Sequence, residues 1–365
     1  MLNICIVAGA RPNFIKVAPL IRTIIRMSSE GYAISYRLVY AGSENDSTLE
    51  KSLFEDLQIP QPDVFLGVEH ESLVELTGKM MSEFDRYLTT SPADIVIVVD
   101  DLASTMAAAI VAKKRGIKLA HLVAGTRSFD INMPKEINRL VIDSLSDMLF
   151  TAGASSNYIA TRSGADMSNV YMVGNILMDT MRYNYPHFKR PAVLHVNNIK
   201  DNDYIVLTIN RKALLNDKDN LHEIISNISK AAQSTTIIAP LRDYASKAIG
   251  YITSIYKNII TTAPLSYLEF GYLTSRAKGI ITDSGNVAEE ATFNSIPCIT
   301  INNYTEHIET VKQGSNILVG EDPDKLSEYV SAMADGHWKT CSLPDRWDGR
   351  TSERIIQILI KNIAN

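Results

Sequence analysis

Two short segments carry residue types suited to holding an anion. Residues 9–16 read Gly-Ala-Arg-Pro-Asn-Phe-Ile-Lys, so an apolar strand runs into Gly9, and Arg11 and Lys16 enter the start of a helix. Free N–H groups at a helix N-terminus carry partial positive charge, and two side-chain cations add to it. An ordinary strand-to-helix turn with solvated charges accounts for this segment equally well. In residues 282–291 another apolar strand ends in small polar residues ahead of a helix. There Ser284, Gly285 and Asn286 can aim N–H groups and a hydroxyl at a phosphate. Glu290 follows one helical turn later, where a carboxylate can accept both hydroxyls of a ribose. Taken alone, this segment also reads as a capped helix, with Asp283 or Ser284 as cap and Glu289 and Glu290 favouring the dipole.

The elements that must position these residues follow a strand–helix alternation. Residues 3–7, 37–41, 95–99, 119–123, 148–151 and 170–173 are short Ile/Val/Leu-rich runs closed by turn residues, and they predict buried strands. Helical patterns at 14–27, 73–89, 103–115 and 134–146 separate them, with Pro134 at the first helical position, where a missing N–H costs nothing. A polar, Pro-containing joint at 183–203 precedes a second series, with strands at 204–208, 235–239, 279–282 and 298–301. Helices at 220–232, 244–256, 265–276 and 324–333 lie among them. The expected fold class is α/β, with two Rossmann-like, doubly wound domains facing a cleft: residues 1–182, residues 183–350, and a last helix at 351–365 that crosses back to the first domain. Anion turns at strand carboxyl ends in both halves suit a nucleoside diphosphate.

Composition narrows the function classes. A length of 365 residues exceeds what one core usually serves, which agrees with two domains. A net charge of −5 favours neither nucleic acid nor an anionic membrane as partner. The three cysteines are too widely spaced for a disulfide framework or a zinc site, and no metal or cofactor is expected. No signal-peptide pattern and no run of roughly 18 apolar residues is seen, so a cytoplasmic protein is expected.

Collinear motifs extend these readings. GARPNFIKVAPL, AHLVAGTRSFDINMPKEINRLVIDSLSDMLF, VGNILMD, TDSGNVAEEATFNSIPCIT and TEHIETVKQGSNILVG together resemble the non-hydrolysing UDP-N-acetylglucosamine 2-epimerases, two-domain proteins of the glycosyltransferase-B fold. The resemblance implies that Arg11, Ser284 and Gly285 contact the diphosphate, with Lys16 beside the phosphate pocket and Glu290 on the ribose. Arg242, Asn286 and Glu306 belong to the same nucleotide-sugar set. It implies UDP or a UDP-N-acetylhexosamine as ligand and a homodimer serving polysaccharide biosynthesis. The implied chemistry is anti elimination of UDP with loss of the C2 proton, then re-addition from the other face, which needs acid/base groups near C2.

Those groups are where the chain departs from the family. Its HVEAG is His-Leu-Val-Ala-Gly here, placing Val123 at the catalytic glutamate; its PEEINR is Pro-Lys-Glu-Ile-Asn-Arg, placing Lys135 at the first glutamate. The family histidine is Asn210, and Asp101 alone survives as a catalytic carboxylate. Around the pocket, His307 stands for an arginine, Asn286 for a glycine and Arg242 for a histidine. Losing one general acid or base costs on the order of 10²–10⁴-fold in rate. Three readings follow. The chain binds UDP or a UDP-sugar without turnover, as a regulatory paralogue; it is a nucleotide-sugar hydrolase or glycosyltransferase using Asp101, aided by Asp100, Glu44 or Glu306; or it is a working epimerase with replacements supplied elsewhere.

Overall fold

The computed structural model describes residues 1–49 and 51–363. The chain forms two compact units, Met1–Tyr183 with Asp345–Asn365, and Asn184–Pro344.

Unit 1 is built on seven parallel strands: β1 (Leu2–Ala8), β2 (Ile34–Tyr40), β3 (Val64–Phe65), β4 (Ile95–Val99), β5 (Lys118–Ala124), β6 (Met148–Thr151) and β7 (Val170–Met172). Their spatial order is β3-β2-β1-β4-β5-β6-β7. The chain therefore reverses its direction of travel between β1 and β4, and the crevice outside their carboxyl ends is where open α/β sheets take ligands. Every residue of β4, Ile-Val-Ile-Val-Val, is buried, because helices cover both faces of the sheet.

Helix Arg11–Ser29 leads away from β1 and contains Pro19. Proline has no N–H, so the carbonyl four residues earlier loses its helical donor. The buried Thr180 hydroxyl takes that place, donating to the Ile15 carbonyl at 2.6 Å. Helix Thr351–Ile363 lies along Arg11–Ser29, where Thr23 Oγ1 meets Ser352 Oγ at 3.0 Å and Arg26 pairs with Glu353 at 3.0 Å. Its first N–H groups, Thr351 and Ser352, donate to the Asp179 carboxylate at 3.0 and 2.8 Å. Residues 345–350 also lie with unit 1, where the Trp347 indole donates to the Ala152 carbonyl at 3.0 Å.

Unit 2 has six parallel strands: β8 (Tyr204–Thr208), β9 (Thr236–Pro240), β10 (Ile259–Thr262), β11 (Gly279–Thr282), β12 (Cys298–Thr300) and β13 (Asn316–Leu318). The order β10-β9-β8-β11-β12-β13 puts its reversal between β8 and β11. Ile205 and Leu207 pack on one face with Leu221, Ile224 and Ile228, whereas Tyr204 and Val206 pack on the other with Leu273 and Ala288. The period of two along β8 thus feeds two cores.

All strands expected from the sequence are present. The additional ones, β3, β10 and β13, each lie at a sheet edge. An edge strand is covered less fully and needs no long apolar run, and in Ile259–Thr262 only Ile259 is buried. Among the described residues no helix is long and apolar enough to cross a membrane.

Candidate active site

In unit 1 the turn after β1 is tied to the end of β4. The Asn13 side-chain oxygen accepts from Gly9 N and Ala10 N at 2.9 and 3.2 Å, closing the turn, and its amide donates to Asp100 Oδ2 at 2.9 Å. Lys16, buried, pairs with Asp100 Oδ1 at 2.6 Å. Lys16, expected beside a phosphate, is thus also a brace between β1 and β4. Arg11, partly buried, opens the helix.

Asp101 is 13% exposed, and both its oxygens face cations. Arg139 reaches Oδ2 with Nη2 at 2.6 Å and Nε at 2.8 Å, and Lys135 Nζ lies 3.5 Å from Oδ1. Burial alone raises this carboxyl's pKa, but Lys135 and Arg139 together outweigh it and hold it below the ordinary value. At neutral pH Asp101 is an ion-paired carboxylate, ill suited to giving up a proton and a weak base for taking one.

The pairing continues inward. Arg139 Nη1 meets Glu136 at 3.1 Å; Glu136 accepts from Ser128 N and Ser128 Oγ at 2.8 and 2.9 Å; Arg127 reaches Asp143 at 2.6 Å. Buried His121 places Nδ1 2.6 Å from Asp143 and Nε2 2.9 Å from the Asp100 carbonyl. Asp100, Asp101, Glu136 and Asp143 are therefore matched by Lys16, Lys135, Arg139 and Arg127. His121, equally open from sequence to a catalytic or a structural role, has both ring nitrogens committed to this lattice.

Val123 sits in an irregularity of β5, where the register against β6 shifts between Leu122 and Ala124. Its φ is +72°, a left-handed conformation that a β-branched residue adopts only under constraint. Gly125 just beyond has φ +74°, and a Cβ there would lie 2.1 Å from the Ser156 carbonyl oxygen, so only glycine fits. The bulge aims residue 123 whatever its side chain, and here the side chain is one that cannot carry a proton.

In unit 2 the ends of β8 and β11 are joined by Asp283, whose Oδ2 accepts from Asn210 N and Arg211 N, each at 2.6 Å. Thr208 and Thr282 link the same strands, Oγ1 to Oγ1, at 2.7 Å. Ser284 stands at the N-cap of helix Gly285–Phe293 without spending its hydroxyl as a cap. His307 Nδ1 bonds Glu289 at 2.8 Å, and its ring lies so close to Gly285 that a Cβ there would come within 2.4 Å of Nε2.

Glu290 is 5% exposed, and no side-chain hydrogen bond or ion pair to its carboxyl is formed among the described residues. Burial, with a contribution from Glu289, pushes its pKa up to about 8. A buried carboxyl without a donor is costly to keep unless a ligand supplies one.

Of the remaining expected residues, Asn286 lies in the first turn of helix Gly285–Phe293, Glu306 is half-buried beside His307, and Arg242 is exposed beyond the end of β9. Asn210 is exposed at the end of β8. Sequence reasoning gave Asp283 only a capping role and assigned none to Asp143, Arg127 or Arg139, because Asp283, Asp143 and Arg139 act on residues of other elements, Asn210 and Arg211 for Asp283, His121 for Asp143 and Asp101 for Arg139. Among the described residues no group of three or more His, Cys, Asp or Glu side chains could hold a metal ion.

Comparison with known proteins is consistent with this geometry. The UDP-N-acetylglucosamine 2-epimerase family model matches residues 27–360. A UDP-N-acetylglucosamine 2-epimerase homolog of Methanococcus maripaludis is 34% identical over 90% of this chain and 92% of its own length. The UDP-2,3-diacetamido-2,3-dideoxy-D-glucuronate 2-epimerase of Pseudomonas aeruginosa is 30% identical over 90% of the chain and 91% of its own length. The crystal structure of the Methanocaldococcus jannaschii UDP-GlcNAc 2-epimerase in complex with UDP-GlcNAc and UDP superposes with a TM-score of 0.84 at 32% identity, covering 99% of this chain and all of that one. The two parallel-sheet units are of the glycosyltransferase-B type seen in such structures. By its motifs, its fold and these relatives, the chain belongs to the UDP-N-acetylglucosamine 2-epimerase family.

Proposed function

We propose that this chain binds a UDP-linked amino sugar and has exchanged the family's proton-transfer groups for fixed ion pairs, leaving a nucleotide-sugar-binding protein without 2-epimerase turnover. The reading rests on the state of Asp101, the surviving carboxylate of the family's catalytic set. It is held ionised between Arg139 at 2.6 Å and Lys135 at 3.5 Å. Epimerisation at C2 requires one group to take a proton and another to return it on the opposite face. Val123 and Asn210 offer neither, and Lys135 neutralises what remains.

Retained binding is supported by Glu290, whose buried carboxyl lacks a protein donor that two ribose hydroxyls would supply. Ser284 and the first N–H groups of helix Gly285–Phe293 then face the phosphates. One relative has been solved with UDP-GlcNAc and UDP, and another is named for a diacetamido-glucuronate, so the resemblance supports the class of UDP-linked amino sugars rather than one sugar. It also supports a cytoplasmic homodimer.

Incubation with UDP-GlcNAc in D₂O, read by proton NMR beside calorimetric titration with UDP, tests the proposal. Binding of UDP with an unchanged sugar is expected. Deuterium at C2 would restore the epimerase reading, and free UDP with reducing sugar would indicate hydrolysis at Asp101. Absence of UDP binding would remove the nucleotide reading itself.

A further inference from the structure

Helix Gly285–Phe293 carries two adjacent carboxyls, Glu289 and Glu290, and both are buried. Unit 2 treats them differently. Glu289 is held by the His307 ring, whose Nδ1 lies 2.8 Å away. Glu290 has no donor and no counter-charge among the described residues. Keeping an ionised carboxyl out of water without either costs far more than adding a proton to it, so such a group is stable as the neutral acid.

The elements packed against the helix do not relieve this. Strands β11 and β13 carry no titratable side chain, and β12 carries Cys298, whose thiol burial keeps neutral. Helix Tyr267–Ser275 brings Tyr267, Tyr272 and Glu269, and Glu269 is turned back onto Ser266 N at 3.1 Å. Segment 307–312 brings His307, Glu309 and Lys312. Just before the helix, Asp283 is spent on Asn210 N and Arg211 N. Of all these and Glu289, only Glu289 acts on the Glu290 charge, and a neighbouring carboxylate again favours the protonated form.

We infer that nucleotide binding at this site is proton-linked: the ligand-free protein keeps Glu290 as a carboxylic acid, and a ribose that brings two hydroxyls to it drives that proton into solvent. The inference rests on the nucleotide reading of this site and adds its regulation. In the free protein the acid carries its own O–H, whereas two ribose donors are matched by the carboxylate, which only accepts. Affinity therefore rises with pH until Glu290 is ionised beforehand, because the ligand no longer has to displace a proton.

The test is calorimetric titration of the full-length protein with UDP-GlcNAc, in buffers of different ionisation enthalpy from pH 6 to 8.5. Both phosphates of UDP-GlcNAc are esterified and stay ionised across this range, so the ligand contributes no proton. The expected result is close to one proton released per nucleotide at the acid end, falling toward none above pH 8. Affinity should rise by up to about tenfold per pH unit below that point. Glu290→Gln removes the titrating group and leaves the His307–Glu289 pair, so its weaker binding should have a nearly flat pH profile. Imidazole changes charge in the same range, so a slope that survives in Glu290→Gln would assign the proton to His307 and overturn the inference. Carboxyl ¹³C titration of the ligand-free protein gives a reading that needs no nucleotide: a Glu290 midpoint near 8 is expected, and one in the ordinary carboxylate range overturns the inference. Binding of UDP-GlcNAc with no proton released removes the linkage alone. Failure to bind while Glu290 titrates near 8 removes the nucleotide reading and the linkage with it.

Discussion

Lys135 Nζ stands 3.5 Å from Asp101 Oδ1, with Arg139 on the other oxygen of the same carboxylate. The glutamate that the resemblance places at position 135 would set a like charge beside Asp101, whereas Lys135 sets an opposite one. Beside Lys135 and Arg139 the Asp101 carboxyl keeps its charge.

Lys135→Met should therefore raise the pKa of Asp101 toward the ordinary carboxylate range. A depressed folded pKa contributes stability above the unfolded value and loses it as pH falls through the folded one, so the variant's acid unfolding limb should move to higher pH. Carboxyl ¹³C titration by NMR reads the shift directly. An unchanged midpoint would mean that Lys135 is too solvated to matter, which its 63% exposure makes a real test.

Val123→Asn should stabilise the protein. A β-branched residue at φ +72° carries strain that asparagine largely avoids, worth about 1 kcal/mol. For a domain of this size that corresponds to roughly 2–4 °C in thermal midpoint. A fall in the midpoint would show that contacts of the valine side chain outweigh the strain.

Glu290 gives the sign of a pH effect. Its folded pKa of about 8 lies above the unfolded value of 4.5, so its contribution to stability is complete below pH 4.5 and is lost as pH rises through 8. In that window the wild type loses up to about 1.4 kcal/mol of stability per pH unit of rise relative to Glu290→Gln. Denaturant unfolding from pH 5 to 9 measures it, and parallel profiles would contradict the assignment. UDP affinity should fall in the same variant, because an amide replaces the ribose acceptor.

Asp143→Asn leaves the buried Arg127 without its 2.6 Å partner and weakens the hold on His121. Breaking a buried pair from one side costs about 3–5 kcal/mol. The variant should melt well below wild type, with reduced circular dichroism at temperatures where the parent is intact. Near-wild-type stability would mean that the lattice of charges is dispensable.

Much of this was written locally. Apolar runs such as Ile-Val-Ile-Val-Val at β4, the glycine after β1 and Pro134 at a helix start act through neighbours in the chain, so the two α/β units could be read from residue order. What the residues do to one another could not. Lys16 meets Asp100 across 84 residues because β1 and β4 are neighbours in the sheet, and His121 meets Asp143 across 22 because helix Pro134–Leu145 packs back on β5. The left-handed backbone at Val123 likewise comes from a bulge between β5 and β6. Hydrophobic period specifies which face of an element is buried, but only strand order and register decide which charge lies beside which, and with them whether a carboxylate can still exchange a proton.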